Sequence, residues 1–332
     1  MLLSICIPNY NRKKHLNNCL NSILISQKKS RIKFEVCISD NCSEDNIEEI
    51  VSNYKKFLDI KFKRNKKNFG LGRNIVESVS MASGEYVWIL GNDDLVLPKT
   101  LEKLDKLFNK FNDVDFFFIN SFNLKSSEIL KFPQPFDTKN LPNIMKKFSS
   151  VKSDKSVSFQ ELIDPNISFD YLLGIFLSIF KRKMWNESVQ SINKTNLNND
   201  KVFSTFENTC PHIIIFGKSF MKSKAFIQSE PLSVNLSGER EWSNLYSFIE
   251  AIRIPEILEI YSKFGLSKKR YFYCKNHSLK NFLPSLTKII FNGKKSGLNY
   301  IKLIPHIFKN MIYPNFYLSP LRYIIKKIFL NN

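Results

Sequence analysis

The chain has 332 residues, 43% of them hydrophobic and 14% aromatic, with a formal charge of +20. That length supports one large domain or two smaller ones around a sizeable core, and the apolar content excludes a disordered chain. The abundant Lys, Asn, Ile and Phe match what an A/T-rich genome yields and carry little functional weight.

The first 120 residues alternate regularly. "LLSICI" (2–7) reads as a short buried strand, and His15 to Ser26 follows with Leu16, Cys19, Leu20, Ile23 and Leu24 on one helical face. "FEVCIS" (34–39) is a second strand, after which Ser43 is the expected cap of a helix with Ile47, Ile50, Val51 and Tyr54 inward. "IKFKR" (60–64), a helix from Arg73 to Ala82, and "YVWIL" (86–90) continue the rhythm. Pro98 opens another helix and "VDFFFIN" (114–120) is a fifth strand. Such alternation predicts right-handed crossovers and a largely parallel sheet, whose ligands bind beyond the carboxyl ends of the strands. Polar clusters sit at those ends: "PNYNR" after the first strand, "DNCSED" after the second and "GNDD" after the fourth.

Residues 130–160 read as an irregular excursion, with Pro133, Pro135 and Pro142. Order returns over 161–236: "YLLGIFLSIF" (171–180) is strongly apolar, "PHIIIFGK" fits a helix or a strand, and "AFIQSEPLSVNL" reads as a late edge strand. Beyond about 240 the pattern is helical. In the last segment Ser319 is the expected N-cap and Pro320 lies in the first turn. Leu321, Ile324, Ile325, Ile328 and Phe329 form one face, with Arg322, Lys326 and Lys327 off it. None of the six cysteines forms a C-x-x-C pair. No run reaches the roughly 18 apolar residues of a spanning helix, and no secretory pattern opens the chain, so a reducing cytoplasm is the expected setting.

Taken together, "SICIPNYNRKKHLNNCLNSIL", "EVCISDNCSED" and "NFGLGRNIVESVSMASGEYVWILGNDDLVLP" resemble the nucleotide-binding half of a family 2 glycosyltransferase with the GT-A fold, in particular its bacterial O-antigen and lipooligosaccharide branch with abequosyltransferase-like members. The resemblance implies an α/β fold, a mostly parallel twisted sheet flanked by helices. It implies a catalytic domain over 1–236, nucleotide-binding over 1–120 and acceptor-binding over 121–236, with a helical basic extension over 237–332. It further implies a nucleotide-diphospho-sugar donor, a glycan or lipid-linked glycan acceptor, Mn²⁺ or Mg²⁺, and inversion at the anomeric carbon. A nucleotidyltransferase and a non-catalytic nucleotide-sugar-binding relative are the alternatives.

The same resemblance marks Pro8, Asn9, Tyr10, Asn11 and Arg12 as the nucleoside loop, Asp40 as the base or ribose contact, and Arg73 near the nucleotide. The metal motif is commonly Asp-x-Asp followed by Asp; here Gly91 takes the first position, leaving Asn92, Asp93 and Asp94. A dication on Asp93 and Asp94 explains why two like charges stand side by side, and the competing reading is a turn in which Asp94 caps the next helix. Asp40 likewise has a capping alternative. The base that deprotonates the acceptor is expected upstream of the late strand, at His212, or else Glu207, with Asp200 third. Trp185 is an acceptor-side platform or a core residue.

The charge is uneven. After Glu259 there is no acidic residue, and 14 Lys and Arg follow. Interleaved with Phe, Tyr, Ile and Leu, they fit an anionic membrane surface, placing the chain peripherally on the inner face of the cytoplasmic membrane. No nucleic-acid-binding motif appears.

Overall fold

The computed structural model describes residues 1–28, 30–238 and 242–330. The expected alternation forms β1 (Leu3–Asn9), α1 (Lys13–Gln27), β2 (Phe34–Asp40), α2 (Glu48–Tyr54), β3 (Ile60–Arg64), α3 (Leu71–Ser80) and β4 (Tyr86–Ile89). A two-residue strand β5 (Leu95–Val96), helix α4 (Thr100–Lys110) and the long β6 (Phe116–Lys125) follow. β1 pairs in parallel with β2 and β4, and β2 with β3. β2 is buried along its whole length and β1 at every residue but Pro8. Helices cover both faces of such a sheet, so its strands read as continuous apolar runs rather than alternating ones.

The second half departs from a parallel sheet. The strand order is β3-β2-β1-β4-β9-β6-β10-β5, where β9 (Ser178–Lys181) and β10 (Lys224–Ser237) come late in the chain. β9 inserts antiparallel between β4 and β6, so "YLLGIFLSIF" ends in a central strand. β10 lies inside the sheet, not at its edge as expected. It runs parallel to β6 on one side and pairs antiparallel with β5 and β8 (Lys155–Ser158) on the other. Its register shifts between Gln228 and Ser233, around Pro231, where a residue without an N–H is tolerated and the strand passes from one partner to the next. "PHIIIFGK" resolves as the helix Pro211–Phe220, with proline in its first turn. Residues 130–160 are largely irregular apart from β7 (Lys146–Lys147) and β8.

The C-terminal helices span Ile254–Lys263, Lys268–Ser278, Phe282–Asn292, Leu303–Asn310 and Pro314–Leu330. Tyr261, Cys274, Phe282, Leu286, Ile289 and Phe316 join the same continuous core as β1 and β4. The last helix begins five residues before the expected cap, with Pro320 inside it. Pro320 has no N–H for the Phe316 carbonyl, and the Ser319 hydroxyl donates to that carbonyl instead. The side chains of Lys326, Lys327 and Phe329 lie outside the described residues.

At the edge of the sheet opposite the polar clusters, the buried Glu35 carboxylate fastens three segments. Ser4 Oγ and Ser83 N each donate to it at 2.6 Å, and Lys61 Nζ lies 2.8 Å away. Burial pushes its pKa up, but Lys61, Ser4 and Ser83 outweigh this and bring it down to about 2. The native state thus keeps the carboxylate charged where the unfolded chain would protonate it. This stabilisation is fully present above the ordinary value of 4.5 and is lost as pH falls toward about 2. Glu35→Gln should lower the unfolding free energy by about 2 kcal/mol at neutral pH. It should also remove that part of the acid-induced loss, both read by denaturant titration at pH 7 and pH 3.

Candidate functional site

The carboxyl ends of β1, β2 and β4 open on one edge because the three strands run in parallel. Asn9, the last residue of β1, is buried there and joins all three. Its Nδ2 donates to Asp40 Oδ1 (3.1 Å) and Ser43 Oγ (3.3 Å), and its Oδ1 accepts from Asn92 Nδ2 (2.7 Å). Its backbone carbonyl accepts from Asn74 Nδ2 (3.1 Å) and Asn41 N (2.9 Å).

Asp40 is buried at the end of β2 and both its oxygens are engaged within the protein. Oδ1 accepts from Asn9 and, in a short bond, from Ser43 Oγ; Oδ2 accepts from Ser43 N at 3.0 Å. Ser43 is therefore not the cap of α2, which starts at Glu48. Its hydroxyl accepts instead from Asn11 N (2.9 Å), while Asn11, in the left-handed region at φ 48°, accepts from Glu44 N (2.8 Å). The loops after β1 and β2 are in this way locked to each other. Behind them, Asn41 donates to Asn68 (2.6 Å) and accepts from Asn65 and Phe69 N, and Asn74 accepts from Ser39 and Asn65. Asn41, Asn65 and Asn68 escaped the sequence reading; the signal available was an asparagine next to each polar strand end.

The paired carboxylates after β4 face different ways. Asp94 is 1% exposed; its Oδ2 accepts from Gly91 N (2.9 Å) and its Oδ1 from Asn235 Nδ2 (2.7 Å). It shapes the turn and ties it to β10. A Cβ at Gly91 would stand 2.7 Å from an Asp93 oxygen and 2.8 Å from an Asp94 oxygen, so a side chain here, where the related motif has Asp, would displace both carboxylates from these positions. Asp93 points outward, with Arg12 Nη1 at 3.6 Å from Oδ2. Beneath the turn the Cys19 thiol lies 3.8 Å from the Gly91 carbonyl, and burial together with the charges of Asp94 and Asp93 keeps it protonated. Among the described residues no cluster of three or more His, Cys, Asp or Glu is placed to hold an ion. With Asp94 engaged by Gly91 N and Asn235, a divalent cation at this turn would meet one protein carboxylate, Asp93, and would have to draw its other oxygens from elsewhere.

Beside this crevice a cavity of about 300 Å³ is lined by Lys67, Asn68, Phe69, Arg73 and Asn198. Arg73 is held by Glu77 through Nε (2.8 Å). Tyr10, Pro8 and Arg12 are half-buried at the crevice and Asn11 is exposed. Glu207 is half-buried, and its carboxylate accepts from Asn196 Nδ2 at 3.1 Å. Its chain crowds the first turn of α3: Gly72 N donates to Asn208 O at 2.7 Å, and a Cβ on Gly72 would lie 2.2 Å from the Glu207 carbonyl.

The structure places His212 differently. It is 1% exposed, its ring edge-on to Phe216, with Nε2 3.1 Å from the Leu173 carbonyl. That bond puts the proton on Nε2 and leaves Nδ1 as a buried acceptor without a partner among the described residues. Burial brings its pKa down to about 4, outweighing the opposing effect of the Leu173 and Leu172 backbone. Trp185 is a core residue, stacked on Phe180 at 5.1 Å.

An unfolded chain protonates this histidine near 6.5 whereas the native state keeps it neutral down to about 4. The native state consequently loses ground as pH falls through that interval, and not above it. His212→Gln should flatten the fall in stability between pH 6.5 and 4 by as much as about 1.4 kcal/mol per pH unit, read by denaturant titration across that range.

Residues 4–157 match the family described as Glycosyl transferase family 2. The chain is 41% identical over 116 residues to abequosyltransferase RfbV of Salmonella typhimurium, an overlap of 34% of each protein. It is 33% identical over 105 residues to the poly(ribitol-phosphate) beta-N-acetylglucosaminyltransferase TarS of Staphylococcus aureus, an overlap of 31% of this chain and 18% of TarS. The chain thus spans 34% of the length of the first of these relatives and 18% of the second. Among solved structures, S. aureus TarS 1–349 in complex with UDP-GlcNAc superposes with a TM-score of 0.58 at 17% identity, over 92% of this chain and 78% of that one. The complex with UDP gives 0.56. This likeness establishes the GT-A fold.

Proposed function

We propose that the chain moves a sugar from a nucleotide-diphospho-sugar to a lipid-linked or cell-surface glycan, with inversion at the anomeric carbon, a reading supported by the match of residues 4–157 to Glycosyl transferase family 2. The observation that carries the reading is the joining of three strand ends by Asn9, which sets Tyr10, Arg12 and Asp93 around one crevice. The similarity to an abequosyltransferase supports an O-antigen, lipooligosaccharide or capsule acceptor.

The nucleoside lies against Tyr10 and the Asp40 loop, with its edge toward the cavity lined by Lys67 and Arg73. Arg12 meets the diphosphate, where its guanidinium offsets charge as the sugar departs. Asp93 would hold the Mn²⁺ or Mg²⁺ that the family commonly uses, and that ion would supply further neutralisation of the leaving group. Asn92 and Asp94 hold the turn rather than the ligand, which moves Asp94 from coordination to positioning. Of the expected bases, His212 is sealed in the core and Asp200 is exposed, whereas Glu207 is half-buried beside the first turn of α3, which carries Arg73, so it takes the acceptor proton.

Thermal shift against a panel of nucleoside diphosphates with and without Mn²⁺ checks the donor site. Asp93→Asn should abolish the metal-dependent part of the shift while leaving the melting point of the free protein unchanged. Asp94→Asn should lower the melting point of the free protein itself, because its buried hydrogen bonds are lost, at a cost of roughly 1.5–3 kcal/mol. A metal-dependent shift that survives Asp93→Asn contradicts the assignment. For the base, Glu207→Gln should reduce transfer about 100-fold or more at unchanged donor KM.

The C-terminal helices supply the membrane contact. Tyr317, Leu321, Ile324, Ile325 and Ile328 fall at i, i+4, i+7, i+8 and i+11 of the last helix, and all are 44–58% exposed. Phe291 is 85% exposed, and Ile304, Phe308 and Ile312 of the neighbouring segments are 67–71% exposed. No acidic residue follows Glu259 to oppose an anionic surface. Such a combination suits a helix lying in the headgroup region. No helix among the described residues is long and apolar enough to cross a membrane. The full chain should sediment with phosphatidylglycerol vesicles and not with phosphatidylcholine vesicles. Phe308→Glu with Ile324→Glu should abolish this without changing the melting point; sedimentation equal to that of the unaltered chain would rule out this face.

A further inference from the structure

A second cavity, of about 570 Å³, lies outside the donor crevice between residues 147–152 and 165–169. That is the size range of small-molecule sites. Its wall carries Phe169, 54% exposed, stacked on Phe148 with ring centroids 4.9 Å apart. Phe148 is held in turn edge-on to Phe176 at 5.5 Å, and its N–H donates to the Ser121 carbonyl at 2.7 Å. Around the rings stand Ser150, whose hydroxyl donates to the Asn166 carbonyl, and the Asn166 amide, which donates to Asp164 (3.1 Å).

The turn that presents Phe169 is firmly built. Asp170 is buried and accepts from Ser168 Oγ (2.6 Å) and Gly174 N (2.9 Å). Tyr171 and Leu172 both adopt left-handed backbone, at φ 52° and 70°, which bulky residues avoid unless their surroundings impose it. The surroundings do so here: Tyr171 and Leu172 are fully buried, and Tyr171 Oη donates to the Cys274 carbonyl at 2.8 Å. An aromatic face held in the open by a strained, over-determined turn has the character of a contact surface.

The cavity also lies on the donor's edge of the sheet. Trp88 of β4 and Phe117 of β6 pair with the same residue of β9, Ile179, so Asn120 of β6 stands level with Gly91 two strands away, about 10 Å across the sheet. β10 bridges the two places: Ser233 Oγ donates to Ser121 Oγ (3.0 Å) and, two residues on, Asn235 donates to Asp94.

We infer that the Phe169 face is the platform on which a pyranose ring of the acceptor glycan stacks, with Ser150 and Asn166 addressing its hydroxyls. This rests on the transfer reading above for the word acceptor, but not for the binding of a sugar. The test is saturation-transfer NMR on the full chain, irradiating aromatic protons, with methyl galactoside, glucoside, mannoside and rhamnoside as probes. At least one pyranoside should receive saturation. Phe169→Ala should weaken its binding about tenfold, Phe169→Trp should retain it, and Asp93→Asn should leave it unchanged. Saturation of no pyranoside, or equal binding by Phe169→Ala, overturns the platform. If pyranosides bind at Phe169 while no nucleoside diphosphate binds with Mn²⁺, the platform stands and the donor reading fails.

Discussion

One buried amide holds the crevice together. Asn9 links Asp40 at the end of β2, Asn92 beyond β4 and Asn74 of α3, so the three loops cannot move independently. A buried amide left without partners costs on the order of 1–3 kcal/mol, which makes this arrangement all-or-none. An amide suits the place because it both donates and accepts. A run of asparagines can satisfy one another without adding further formal charge to the wall of the crevice.

The same logic separates Asp93 from Asp94. Adjacent carboxylates at a strand end repel, and the turn resolves this by directing them apart. Asp94 is satisfied by a backbone N–H and the amide of Asn235, and so couples the donor turn to β10. Asp93 keeps an exposed face with Arg12 as its neighbour. Gly91 belongs to this arrangement, since a side chain there would collide with both carboxylates. The departure from the usual acidic motif is thus matched by a tighter turn with one outward carboxylate.

Much of this was legible in the sequence, and the failures have physical causes. The parallel half showed because its strands are buried on both faces and read as unbroken apolar runs. β9 was hidden because an antiparallel strand entering from far along the chain leaves no local mark. β10 looked like an edge strand because Pro231 and its polar neighbours weaken its pattern, yet these residues occupy the register shift. Ser43 has the composition of a helix cap, but Asp40 and Asn11 claim its hydroxyl first. Asparagine abundance, set aside as base composition, conceals the network of Asn41, Asn65, Asn68 and Asn74. His212 looked suited to proton transfer by residue type, and its burial against Phe216 is visible only in the packed structure. The stripe on the last helix was readable by its period, whereas its exposure required the packing of the other helices.

The account turns on a crevice whose walls are fixed before any nucleotide arrives and whose outward charges meet the diphosphate. Its most direct test is a crystal structure with a nucleoside diphosphate and Mn²⁺. The account predicts the diphosphate between Arg12 and Asp93, the nucleoside beside Tyr10, and every hydrogen bond of Asn9 and Asp94 intact. A nucleotide seated elsewhere, or Asp94 released from Asn235 to bind the metal, would contradict it.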